Sequence, residues 1–334
     1  MRSWFVFPSL PRMTGGLAVI ARLAGLLRKA GFDAVLVAED CPERVEQAAP
    51  GVPVLPAAGL CPEPDDLWIV PEGRPTALMQ GLRAGARCVV YVQNWAYLLS
   101  NLPEIWKTLP VQYVAVSNPV AWFIAHGTGR KAALLRPGID TDLFRPLSQR
   151  LANPEAPTPE RLRVAWMPRK NKAQARQIRD LLTARGENLQ WVEIHGCSPA
   201  EVAELLRTSH VFLATGFPEG CPLPPLEALA SGCLVAGWGG LGGWDYMRQA
   251  GDFPGAYRPW WPLEDLPWGG NGFYVADADV PAAAFAVQKA CALLRSGGSE
   301  LALVRAQAAA TVQRYTLKAQ AEAAVTLWRD LLRF

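Results

Sequence analysis

The sequence predicts an α/β protein built from two doubly wound parallel-sheet domains. Short apolar runs of strand length alternate with amphipathic stretches of helix length, the pattern of parallel sheets made from strand–helix–strand units. The chain has 334 residues, enough for two such domains at roughly 150 residues each. Residues 211–237, VFLATGFPEGCPLPPLEALASGCLVAG, spell one such unit in full. A buried strand over 211–214 breaks at Gly216, Pro218 and Gly220 into a loop. Pro224 and Pro225 suit the first positions of a helix that continues through 226–230, Gly232 ends it, and 233–236 form the next strand.

Composition narrows the function classes. Half the residues are apolar, so two cores can be buried. The 33 basic and 30 acidic residues leave a net charge of +3, too balanced to announce a nucleic-acid partner. Seven cysteines, odd in number, scattered and mostly in apolar runs, fit reduced thiols rather than disulfides or a zinc site. No run approaches about 18 apolar residues, and the amino terminus has no charged-then-apolar signal pattern. The expectation is a cytoplasmic protein, with peripheral membrane contact left open.

Two carboxylates flank the loop of the 211–237 unit, Glu219 within it and Glu227 in the first helical turn, with seven residues between them. Both stand where strand carboxyl ends and helix amino ends converge, the place where open α/β sheets take ligands. Free N–H groups and the helix dipole there favour a phosphate, and a carboxylate accepts two hydroxyl hydrogen bonds from a ribose or hexose. The combination asks for a ligand carrying both phosphate and sugar. The plainer alternative is that Glu227 complements the helix dipole and Glu219 is a solvated loop charge.

The run 219–232, EGCPLPPLEALASG, resembles the E-x7-E signature of retaining, nucleotide-sugar-dependent glycosyltransferases of the GT-B fold, family 4 (glycosyl transferases group 1). The resemblance implies two Rossmann-like domains facing a cleft, with Glu219 touching the transferred sugar and Glu227 holding the nucleotide ribose. That family usually has Gly-Phe-Gly-Leu after the first Glu, whereas this chain has Gly220-Cys221-Pro222-Leu223. Gly220, Cys221 and Leu223 then face the donor, while Pro222 removes one N–H from the diphosphate contact.

In the first domain, strands are expected over 4–7, 32–38, 67–70, 88–92 and 113–116. Thr14 is a plausible N-cap for a helix over 17–30, which Gly31 stops. Gly15 and Gly16 either let the backbone approach an anion or sugar or merely ease a tight turn. The resemblance puts Thr14, Gly15 and Gly16 at the cleft. After the strand 88–92 come Gln93, Asn94 and Trp95, where many family members carry a histidine; the three histidines here, His126, His195 and His210, lie elsewhere. Gln93 and Asn94 either bind sugar or acceptor or cap the following helix.

The segments LLRPGID and TDLFRP over 134–146 resemble the family's passage out of its first domain. Domains are expected over 1–147 and 162–316, joined by a polar linker over 148–161, with the last helix in 317–334 packing back on the first domain as in the family.

In the second domain, a strand over 162–167 precedes Arg169, Lys170 and Lys172, a phosphate clamp or a solvated basic turn. Family members have an arginine where Ala165 stands and a lysine matching Lys170; Arg169 is the substitute. His195, after a strand over 191–194, either stacks on the nucleobase or is a structural hydrogen-bonder. Gly242 and Gly243 lie in a run with five glycines between 237 and 243, suited to a loop around a diphosphate, and Asp245 is a shortened counterpart of the family's Glu. Trp260, Trp261 and Trp268 either stack on sugar or turn inward.

The resemblance therefore implies transfer of a hexose-type sugar from a nucleotide-diphosphate sugar to a glycan, lipid-linked or small-molecule acceptor. Lys170, Arg169 and the amides near Gly220 would stabilise the departing diphosphate, with no cofactor and no metal. The alternative is a degenerate protein that binds nucleotide-sugar or glycan without turnover, favoured by the missing histidine, Ala165 and Pro222. A dinucleotide-dependent oxidoreductase wants a G-x-G-x-x-G turn, which residues 8–16 do not supply.

Overall fold

The computed structural model describes residues 1–9, 15–98, 104–156 and 161–333. The chain divides into two compact units, Met1–Pro137 with Lys318–Phe334, and Gly138–Leu317.

The first unit is built on a seven-stranded sheet of β1 (Ser3–Phe7), β2 (Ala34–Ala38), β3 (Val54–Pro56), β4 (Leu67–Pro71), β5 (Arg87–Val92), β6 (Val111–Ala115) and β7 (Ala132–Leu134). All pairs are parallel, and the order is β3-β2-β1-β4-β5-β6-β7. β1, β2 and β4 are buried along their whole length, which is why they appear as unbroken apolar runs. β3 and β7, three residues each at the sheet's edges, are too short and too exposed to carry such a signal, so the sequence suggests five strands where the structure has seven. The helix Leu317–Arg333 closes this unit: Trp328 stacks on Phe5 at 5.5 Å and donates to Ser3 Oγ at 3.0 Å, and Arg87 donates to the Leu331 carbonyl.

The second unit carries a five-stranded parallel sheet of β8 (Leu162–Trp166), β9 (Leu189–Glu193), β10 (Val211–Ala214), β11 (Leu234–Trp238) and β12 (Gly272–Val275), ordered β12-β11-β10-β8-β9. Its core places Leu162, Val164, Val211, Leu213 and Leu234 against the helices Lys172–Ala184 and Val280–Ser296. In each sheet the chain winds outward in two directions from one pair of strands, β1 and β4 in the first, β8 and β10 in the second. Loops that leave the carboxyl ends of those pairs diverge and leave a crevice, the ligand position of doubly wound sheets.

The segment expected as a linker over 148–161 begins with a helix, Ser148–Ala152, that belongs to the second unit. Arg150 fixes it there by donating to the carbonyls of Ser209 at 2.7 Å and Gly232 at 3.3 Å, and the chain leaves the first unit already after Pro137. Residues 157–160 of that segment, and the expected N-cap Thr14, lie outside the described residues. Trp261 and Trp268 turn inward, whereas Trp260 is 78% exposed. None of the seven cysteines forms a disulfide. Among the described residues no helix is long and apolar enough to cross a membrane.

Candidate functional site

The second unit's crevice is formed by the loops after β8 and β10. Lys170 Nζ lies 2.9 Å from Glu219 Oε1 and donates to the Pro218 carbonyl. Arg169 approaches the same carboxylate oxygen at 3.8 Å with 65% of its side chain exposed, whereas Lys170 and Glu219 expose 19% and 18%. Two cations thus converge on one half-buried carboxylate, Lys170 from a half-buried position and Arg169 from an exposed one. Lys172, counted with them in the sequence, turns away to Glu193 at 3.3 Å. Asn171 joins the two loops: in the left-handed conformation (φ 54°), which asparagine tolerates, its amide donates to the carbonyls of Thr215 at 2.8 Å and Phe217 at 3.2 Å. A cavity of about 50 Å³ bounded by Arg169, Lys170, Gly216, Glu219 and Pro222 opens between them.

The glycine-rich segment after β11 braces this arrangement from behind. The Glu219 N–H donates to the Gly240 carbonyl at 2.9 Å, and the Gly242 N–H donates back to the Glu219 carbonyl at 3.1 Å. A Cβ on Gly242 would meet the Gly220 carbonyl oxygen at 1.9 Å, so only glycine permits the contact. Gly242 and Gly243 are both buried in a 3₁₀ turn, Gly242–Asp245; Gly242 allows the close approach of the Gly220 backbone, and Gly243 that of the Met247 and Pro222 side chains. The Gly240 N–H donates to Asp277 Oδ1 at 2.7 Å. Burial pushes the Asp277 carboxyl up to about 6 against the lowering effect of the Gly240 and Leu241 amides.

In the first unit, residues following β1, β4 and β5 meet. Gly15 and Gly16 open the helix Gly15–Lys29, and a Cβ on Gly16 would lie 3.1 Å from Gln93 Oε1. The N–H groups of Gln93 and Asn94 donate to the two oxygens of Glu72 at 2.9 and 2.8 Å. Burial pushes the Glu72 carboxyl up to about 7, although these amides and its own favour the charged form. Asn94 Oδ1 accepts from the Ala96 N–H at 3.1 Å at the start of the helix Trp95–Leu98, which is the capping role.

No family model matches the chain, and no curated protein matches it. Solved structures do. Anabaena HepE in complex with UDP-glucose is similar at a TM-score of 0.67 and 12% identity, over 99% of this chain and 100% of that one. Sucrose-phosphate synthase from Thermosynechococcus elongatus is similar at a TM-score of 0.64 and 14% identity, over 100% of both chains. The catalytic domain of starch synthase IV from Arabidopsis thaliana, bound to ADP and acarbose, is similar at 0.65 and 11% identity over 99% of both. The chain has the GT-B fold.

Within the GT-B fold's second unit, the helix after β10 spans Leu223–Ala230. Glu227 is therefore its fifth residue, in the second turn and not the first as the prolines suggested, because the helix starts one residue before Pro224. That position weakens the reading of Glu227 as a simple partner of the helix dipole, whose effect fades beyond the first turn. Pro222, Pro224 and Pro225 carry no N–H, so among residues 220–225 only Gly220, Cys221 and Leu223 have backbone donors at all. Charge there falls chiefly to Lys170 and Arg169.

His195 lies in the exposed loop after β9, one strand beyond β8, and does not line the Glu219 cavity. Asp245 is buried and accepts from Tyr315 Oη at 2.7 Å, an interior role. Among the described residues no group of three or more His, Cys, Asp or Glu side chains could hold a metal ion. Three residues of these loops are not apparent from the sequence. Glu72 had a signal, a carboxylate between the end of β4 and Gly73, whereas Asn171 and Asp277 act through partners more than 35 positions away.

Proposed function

We propose that this chain transfers a hexose-type sugar from a nucleotide-diphosphate sugar to an acceptor hydroxyl, with retention at the anomeric carbon, in glycan or glycoconjugate synthesis. The bond from the anomeric carbon to the diphosphate breaks with its electron pair leaving on the phosphate oxygen. The acceptor oxygen bonds to the anomeric carbon, and its proton passes to the departing phosphate oxygen. In this reading Lys170 and Arg169 neutralise the departing diphosphate, Glu219 accepts hydrogen bonds from the sugar, and Glu227 accepts from the ribose. The amides of Gly220, Cys221 and Leu223 contact the donor, Gly242 acts indirectly by fixing the Glu219–Gly220 backbone, and Gly243 acts indirectly by packing against Pro222. Gly16, Gln93 and Asn94 belong to the acceptor side, and His195 to the nucleobase.

One observation carries this reading: a lysine 2.9 Å from a half-buried glutamate, at the point where the second sheet's strand order reverses. It provides the two chemistries an activated sugar needs, a cation for the phosphate and a carboxylate for hydroxyls. HepE bound to UDP-glucose and the starch synthase bound to ADP and acarbose share the fold and set the probes to try first. The cytoplasm is the proposed setting, where seven cysteines outside any disulfide stay reduced. The two basic side chains take the place of a divalent ion, so turnover is expected to survive chelation.

The second reading, binding without turnover, draws on the three prolines that thin out the amides near the crevice. The test is nucleotide release from UDP-, GDP-, ADP- and dTDP-sugars with a panel of glycan, lipid-linked and small acceptors. Release that depends on acceptor and is lost in Lys170→Ala and Glu219→Ala supports transfer. A donor that raises the melting temperature without release supports the second reading, and no response to any donor sinks both.

A further inference from the structure

The second unit has another cavity, at the amino-terminal edge of its sheet and so at the opposite end from Glu219. It is about 390 Å³ in volume, within the range of small-ligand sites, and is walled by Phe144, Leu229, Leu234 and Val312 with several alanines. Three arginines, Arg145, Arg150 and Arg305, line it as well, and no carboxylate does among the described residues. Arg150 donates to the carbonyls of Ser209 and Gly232, and Arg305 to that of Pro154; these bonds orient the guanidinium groups and leave their charge uncompensated. The Nε of Arg305 is buried and has no hydrogen-bond partner, a donor left for a ligand to satisfy.

The field of this cluster registers on a neighbour. His210 is pressed down to about 4 by burial and by Arg150, Arg163 and Arg305. An apolar wall beside concentrated, unneutralised guanidinium charge fits neither a bare ion nor a neutral hydrocarbon. It matches a molecule with both parts.

We propose that the cavity between the helix Ser299–Gln313, the carboxyl end of the helix Leu223–Ala230 and residues 141–154 binds a small amphipathic anion, a hydrocarbon body bearing one carboxylate or monophosphate. The hydrocarbon lies against Phe144, Leu229 and Val312, and the head group takes the guanidinium donors of Arg145 and Arg305. This site does not depend on the proposed sugar transfer.

The test is calorimetry on the whole protein with dodecyl monophosphate and dodecanoate below their micelle concentrations, against inorganic phosphate and dodecanol. The two anionic amphiphiles separate a phosphate head from a carboxylate. Saturable binding of at least one of them is expected, about tenfold or more tighter than that of phosphate or dodecanol. Arg305→Gln, which removes the head-group donor, and Ala309→Trp, which fills the cavity and leaves every arginine in place, are each expected to weaken it by about tenfold. The melting temperature of each unliganded variant reports whether it is folded. No saturable binding by the native protein, equal binding of dodecanol, or unchanged affinity in a folded Ala309→Trp protein overturns the proposal.

Discussion

Lys170 Nζ and Glu219 Oε1 stand 2.9 Å apart although 48 residues of chain separate them, one on the loop after β8 and the other on the loop after β10. In the free protein each charge is therefore already occupied by the other. An arriving diphosphate competes with Glu219 for the lysine, and a sugar hydroxyl competes with the lysine for Glu219. A ligand carrying both groups satisfies the pair together, whereas a bare nucleotide satisfies only half of it.

That competition fixes opposite signs for two substitutions. Lys170→Met is expected to weaken binding of a nucleoside diphosphate by about tenfold or more, the worth of a charge-assisted hydrogen bond. Glu219→Gln is expected to leave nucleoside diphosphate affinity equal or improved, because the lysine loses its internal competitor, while it lowers affinity for the matching nucleotide-sugar. Isothermal titration of both ligands on both variants checks this. A Glu219→Gln protein that loses the bare nucleotide as severely as Lys170→Met does would show that the carboxylate serves the nucleotide and not the sugar.

Gly242 and Gly15 make a contrast in backbone demands. A methyl group on Gly242 would lie 1.9 Å from the Gly220 carbonyl oxygen, whereas one on Gly15 meets nothing within 4 Å. Gly242→Ala is expected to cost about 2 kcal/mol or more, since backbone and not a flexible side chain must yield. It should also weaken donor binding by displacing Glu219. Gly15→Ala, at the first residue of a helix, is expected to be neutral or stabilising by up to about 1 kcal/mol. Denaturant melts of the two variants give the comparison directly.

These positions also mark what the chain discloses unaided. The strands β10 and β11 are visible because burial on both faces demands apolar runs, β8 because only Arg163 interrupts its apolar residues, and the loop around Glu219 because glycine and proline must break the pattern. Hence the alternation of strands and helices and the loop that carries Glu219 are legible, whereas the adjacency of β8 and β10 that makes the crevice is set by the sheet order. The partners that hold the crevice are not legible either. Asn171 reaches Thr215 and Phe217, and Asp277 reaches Gly240, through distances in sequence that no local pattern encodes. Gly242 shows the converse difficulty: the sequence gives a glycine-rich loop, but whether its bare backbone faces a ligand or another loop is decided only by packing.

Glu72 sets a pH dependence in the first unit. Its carboxyl is pushed from 4.5 up to about 7 by burial, so the folded state holds the proton more tightly than the unfolded chain does. The associated stability is fully present below pH 4.5 and is lost as pH rises through 7, on the order of 3 kcal/mol across the window. Asp277, pushed up to about 6, adds a slope of the same sign. Glu72→Gln is expected to flatten its share of the decline, measured by urea unfolding between pH 5 and 8. A variant with the native slope would mean that the Glu72 carboxyl is ionised throughout.

His210 works in the other direction. The Arg163 N–H donates to its Nδ1 at 3.0 Å, so the ring holds its proton on Nε2 and must break that bond to protonate at Nδ1. Burial and the charges of Arg150, Arg163 and Arg305 lower it from 6.5 to about 4. A depressed histidine contributes stability that is complete above pH 6.5 and vanishes as pH falls through 4. His210→Asn keeps an acceptor for the Arg163 N–H and removes the titration, so its unfolding free energy is expected to fall less steeply than the native protein's between pH 6.5 and 4.5. Because an anion in the arginine-lined cavity would soften the field on His210, dodecyl monophosphate is expected to raise the histidine's midpoint, which NMR titration of its ring protons reads directly. A midpoint indifferent to the anion would place any bound head group away from Arg150 and Arg305.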